Sequence, residues 1–73
     1  MTRKASVVIE ADQHGFYAYC PDLKGCQSQG DTLDEAMSNI REAIDLYLST
    51  VPRDEWDSLL SREILTGTVE VNA

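Results

Sequence analysis

Few residues in this 73-residue chain are of types that do chemistry unaided. There is one histidine, His14, and there are two cysteines, Cys20 and Cys26. The spacing Cys20-x5-Cys26 is neither the C-x-x-C of a redox pair nor half of a four-ligand zinc site. Spacing leaves a disulfide between them open. Reduced, half-buried thiols are the expectation for a small acidic chain with no secretion signal. His14 lies in Asp12-Gln13-His14-Gly15, a run of turn formers. A single imidazole cannot hold a metal unless carboxylates converge on it, and Asp12 is its one near acidic neighbour. The remaining candidates are carboxylates, thirteen in all. Metal-assisted phosphodiester chemistry needs several of them around divalent ions. Most read here as helix caps, turns or an outer helix face, and only Glu10 and Asp45 fall near a sheet face. The residues therefore point away from an enzyme, with no cofactor and no metal site.

Charge narrows the partners. Six basic residues against thirteen acids leave a formal net charge of −7. Arg3-Lys4 is the nearest thing to a basic patch; Lys24, Arg41, Arg53 and Arg62 are scattered. Direct nucleic-acid binding needs clustered cations and is not expected. An acidic surface serves solubility, and it also suits a basic partner. The longest apolar run near the start, Val7-Val8-Ile9, is too short for a signal peptide or a membrane span, so a cytoplasmic protein without membrane attachment is expected. The length allows one domain, residues 1–73, whose small core is marginal alone. Association as a homo-oligomer, dimer or tetramer, or a permanent complex with another protein, follows as an expectation.

The elements that position these residues are legible in part. Lys4 to Ala11 reads as a strand with Ala5, Val7 and Ile9 on one face and Ser6, Val8 and Glu10 on the other. After the turn, Phe16 to Cys20 is an aromatic-rich second strand, antiparallel to the first. Pro21 ends it because proline cannot donate to a ladder. Asp22-Leu23-Lys24-Gly25 forms a loop, with Leu23 folding back onto the sheet edge. Cys26 to Gln29 is a short third strand, closed by Gly30, which frees the chain to turn. Thr32-Leu33-Asp34-Glu35 fits a capping box, in which the Thr32 hydroxyl accepts from the Glu35 amide and Glu35 reaches back. From there Leu33, Ala36, Met37, Ile40, Ala43, Ile44, Tyr47, Leu48 and Val51 form one broad apolar face of a long helix. Arg41 and Asp45 are spaced for an ion pair on its wet side. Pro52 stops the helix near Thr50. Arg53 to Arg62, with Trp56, Leu59 and Leu60 on one side, suggests a second short helix, and Ile64 to Val71 a last strand. The expected fold is α+β: three antiparallel strands, a long helix and a final strand, one sheet with the helix on one face. A helical crossover would let the last strand lie parallel to the first. The strands are apolar on both sides, so the alternation does not say which set faces the helix, and the uncovered face or an edge becomes the expected contact surface.

The stretch Tyr17-Ala18-Tyr19-Cys20-Pro21-Asp22-Leu23-Lys24-Gly25-Cys26, followed by Gln29-Gly30-Asp31-Thr32-Leu33-Asp34-Glu35-Ala36 and Asn39-Ile40-Arg41-Glu42-Ala43-Ile44, resembles the HicB family of antitoxins. The likeness covers about residues 5 to 50. It implies a partial ribonuclease-H-like fold. It also implies a binding function: neutralising a small HicA-type toxin that cleaves messenger RNA, by covering its active site. Many family members carry a C-terminal DNA-binding module; none is expected here after Val71, so direct operator binding is not expected. The segment Pro52 to Glu63 is not part of the motifs that carry this resemblance. For such a binder, aromatic and apolar anchors would carry the contact energy, and Tyr17, Tyr19, Leu23 and Trp56 are the candidates, against core packing as the plainer role of each. Pro21, Gly25, Gly30, Thr32 and Glu35 are the loop and cap residues. The alternatives are an orphan homo-oligomeric module with no toxin partner and, more remotely, a metal-dependent nuclease on the same scaffold.

Overall fold

Turn chemistry sets the sheet. In the computed structural model, which describes residues 2–72, the first strand is Val8–Asp12 (β1), the second Gly15–Tyr19 (β2) and the third Gln27–Gly30 (β3). They form one antiparallel sheet in the order β1-β2-β3. The Asp12 carboxylate accepts from the His14 amide at 2.8 Å and closes the first turn, and Gly15 takes φ +131°, where a side chain would be strained. β1 starts later than the sequence suggests. Its register pairs Val8 with Tyr19, so Ser6 would fall opposite Pro21, which has no N–H to give.

The loop between β2 and β3 is closed by its own backbone. Leu23 donates to the Cys20 carbonyl at 3.1 Å, Cys26 to the Leu23 carbonyl at 3.0 Å, and Cys20 to the Cys26 carbonyl at 3.0 Å. Gly25 supplies φ +81°. The turn drives the Leu23 side chain inward, where it is fully buried.

A 17-residue helix, Leu33–Ser49 (α1), follows. The Thr32 hydroxyl accepts from the Glu35 amide at 3.1 Å, as the capping box requires. The reciprocal bond from Glu35 is not formed. Nor do Arg41 and Asp45 pair: the ion pairs among the described residues are Arg3–Asp57 and Arg62–Asp22. The buried stripe of α1 is Ala36, Ile40, Ile44 and Leu48, a strict four-residue step. Leu33, Met37 and Leu46 stay exposed, so the apolar face is narrower than its sequence.

The helix packs on β3 and β2, over Ala18, Cys20, Leu23 and Cys26, with Ile9 and Phe16 half-buried at the margin. Small residues make this close approach possible: Ala18 and Ala36 are both fully buried. Gly30 has the same purpose. It is not in the left-handed region and does not serve by freeing the turn. A Cβ there would lie 2.6 Å from the Ala36 nitrogen and 3.0 Å from the Glu35 carbonyl carbon, so the absence of a side chain is what lets the helix start against the strand.

Beyond Thr50 the chain makes a 3-10 turn at Arg53–Glu55 and one short helix, Trp56–Leu59 (α2). Residues 61–72 carry no strand, so the expected closing strand is not part of this sheet. Leu65, Val69 and Val71 are 80%, 86% and 87% exposed. The Cα radius of gyration is 14.1 Å, against about 11 Å for a globular chain of this length.

Candidate partner-binding face

Because α1 covers the Ile9, Phe16 and Ala18 side, period-two alternation turns the neighbouring residues to the opposite face. Register places Val8, Tyr19 and Gln27 in one row there, and Glu10, Tyr17 and Gln29 in the next. No element of the described residues packs over this face. Tyr17 and Tyr19, two apart on β2, stand side by side with ring centroids 5.7 Å apart and planes tilted by 36°. The Tyr17 hydroxyl donates to the Gln27 side chain at 2.7 Å, which fixes the ring across β3. Tyr17 is exposed and Tyr19 half-buried.

Two hollows flank the tyrosines. At the hairpin end a groove of about 670 Å³ is lined by Glu10, Asp12, His14, Tyr17, Asp31 and Glu35, among others. It carries four carboxylates and no lysine or arginine. At the other end a shallower depression of about 280 Å³ lies between Tyr17, Tyr19, Pro21, Lys24 and Gln27. The face thus offers two adjacent aromatic rings beside a concave acidic margin, an arrangement suited to a cationic, partly apolar surface.

The other residues singled out from the sequence fall elsewhere. Leu23 is a core residue and cannot meet a partner at this face. Trp56 lies near the C-terminal end of α1, on the helix side; its indole N–H donates to the Val51 carbonyl at 3.0 Å, and the Arg53 guanidinium sits 5.2 Å over its ring. It lines a separate cleft of about 570 Å³ with Arg3, Ile44, Asp45 and Leu60. Glu10 and Asp45 therefore border different hollows, and no cluster of three or more His, Cys, Asp or Glu among the described residues could hold a metal ion. His14 stands exposed in the hairpin turn beside Gln13, as the turn formers imply.

Cys20 and Cys26 are free and buried. Burial pushes both thiols above their ordinary range, with Cys20 adding to the effect on Cys26. One further residue pair carries no local sequence signal. The Asp22 side chain is 1% exposed, and its Oδ1 accepts from Arg62 Nε at 3.0 Å. Arg62 Nη2 also donates to the Pro21 carbonyl at 2.8 Å. This clamp ties the end of α2 to the loop after β2. The partners are forty residues apart, so no local pattern reveals them.

The family model for the HicB-like antitoxin of bacterial toxin-antitoxin systems matches residues 5–65. The chain belongs to the HicB-like antitoxin family. Among its relatives, a UPF0150 protein of Helicobacter pylori is 42% identical over 66 residues, covering 90% of this chain and 92% of that one. A UPF0150 protein of Archaeoglobus fulgidus is 48% identical over 68 residues, with 88% and 99% covered. One from Synechocystis is 60% identical over 47 residues, or 63% of this chain and 60% of the relative. No solved structure matches. The HicB-like match takes in the whole sheet, α1 and the Asp22–Arg62 clamp. No helix among the described residues is long and apolar enough to cross a membrane.

Proposed function

We propose that this HicB-like chain is a non-enzymatic antitoxin that binds a small basic ribonuclease and covers its active site. The observation that carries the reading is the uncovered sheet face, where Tyr17 and Tyr19 stand beside a groove bearing Glu10, Asp12, Asp31 and Glu35. An enzyme that cleaves RNA must present cations to phosphate. A rigid acidic surface competes for those cations, and the two rings supply apolar contact at low entropy cost. Antitoxin family membership supports the same reading.

Co-expression with a small basic ribonuclease encoded beside it, followed by affinity capture and an RNA-cleavage assay, tests the proposal. The expected result is a stable complex with cleavage suppressed. Substituting Tyr17→Ala and Tyr19→Ala together should weaken the complex by about 10- to 100-fold, the range of a modest hot spot. Raised salt should slow association. Cleavage unaffected by excess antitoxin would overturn it.

A further inference from the structure

We infer that residues 64–71 form a strand that adds to the outer edge of β1 in a second copy of this chain, reciprocally, to make a two-fold dimer. Three observations carry the inference. The first is the segment itself. Leu65, Val69 and Val71 alternate with Thr66, Thr68, Glu70 and Asn72, and Gly67 occupies the remaining position on the apolar side. That is a half-buried strand pattern, yet the three apolar side chains are more than three-quarters exposed. An extended segment with no ladder and no packed face has nothing to offset its ordering entropy.

The second is the edge. The bond from the Cys20 amide to the Cys26 carbonyl marks the hydrogen-bonded pairs of β2 and β3. Alternation then assigns Tyr17 and Tyr19 to bonding with β1, and leaves the N–H and C=O of Ile9 and Ala11 pointing outward. Among the described residues these groups have no partner. β3 is less open: Asn39 Nδ2 donates to the Gln29 carbonyl on its outer edge at 2.8 Å. Side chains agree with this choice. Beside the β1 edge lie Ala5, Val7 and Ile9, all half-buried, whereas β3 offers Gln27, Ser28 and Gln29. The apolar side of the segment matches β1.

The third is closure. The Arg62 clamp to Asp22 and Pro21 fixes where the segment leaves the body, and beyond it residues 65–72 are exposed and joined to no strand of their own sheet. Each copy thus presents one unpaired strand and one unpaired edge. Exchange about a two-fold axis satisfies both and ends the assembly at two.

The test is mass by light scattering together with amide hydrogen exchange on the full chain. The expected result is a dimer in which amides of residues 65–71 exchange at least about tenfold more slowly than an unstructured peptide. Ala11→Pro removes an outward donor without costing β1 a bond to β2. It should halve the mass and abolish that protection while the helix circular dichroism stays. Val69→Pro, at an 86% exposed position outside every helix and strand, should do the same from the other side of the exchange. A wild-type monomer with unprotected tail amides overturns the inference. So does a monomer with protected ones, which would mean pairing within the chain. A dimer that survives both variants also overturns it.

Discussion

Gly30→Ala isolates the claim that the helix begins in contact with the sheet. The added methyl would meet the Ala36 nitrogen at 2.6 Å, the Glu35 Cβ at 2.9 Å and the Glu35 carbonyl carbon at 3.0 Å. Two of these atoms are backbone in the first turn of α1, so relief requires moving the helix start. Overpacking of this kind costs about 1–3 kcal/mol. Disturbing the Thr32 cap as the turn shifts adds about 1 kcal/mol. The expected loss is about 2–4 kcal/mol, a large part of the stability of a domain this size. Two other glycines serve as controls. Gly25 has open space around it but φ +81°, so alanine there carries backbone strain alone, about 1–2 kcal/mol. Gly67 has neither constraint, and alanine should cost less than about 0.5 kcal/mol. Urea unfolding followed by circular dichroism at 222 nm, the helix band, should rank the losses Gly30 > Gly25 > Gly67. A Gly30→Ala variant as stable as wild type, or less affected than Gly25→Ala, would refute the close approach.

Further outcomes follow from the same geometry. Arg62→Ala leaves the Asp22 carboxylate buried without its partner, and should cost about 1–3 kcal/mol in chemical unfolding, most of it restored by Asp22→Asn in the same chain. Thr32→Ala removes the acceptor for the Glu35 amide and should lower stability by about 1 kcal/mol, or roughly 4–8 °C in thermal melting. The buried thiols give a pH dependence. Their ionisation is held above the ordinary range in the fold, so the unfolded chain loses these protons first; stability is full below the ordinary thiol pKa of 9.0 and falls as pH rises past it. Alkylation of Cys20 and Cys26 near neutral pH should accordingly be slow in the native chain and fast in urea, read by mass spectrometry.

What the sequence reveals is what is encoded locally. The hairpin, the loop around Pro21 and Gly25 and the capped helix all follow from residues within a few positions of one another, and all stand in the structure. The face that α1 covers does not follow, because Val7, Ile9, Phe16 and Ala18 compete with Val8, Tyr17 and Tyr19 on hydrophobicity alone. Residue size decides it: Ala18 and Gly30 admit the helix where two tyrosines could not. Leu23 folds back as an apolar side chain in a polar loop implies, and three backbone bonds turn it so far into the core that it is no surface anchor. Trp56 is an aromatic anchor, but of the α1–α2 junction rather than of the sheet face. The Asp22–Arg62 clamp is invisible because its members are distant in sequence. Ile64 to Val71 keeps the alternation of a strand but finds no partner in its own sheet.

If the open face with Tyr17 and Tyr19 covers a ribonuclease, an inhibition titration should show it. Purified antitoxin is added to the partner ribonuclease, and cleavage of a labelled RNA is followed. Cleavage should fall linearly to near zero at a fixed stoichiometric ratio, and the Tyr17→Ala, Tyr19→Ala chain, still folded, should need a clear excess to do the same. Full cleavage in the presence of excess wild-type chain, or inhibition untouched by the double substitution, would contradict it.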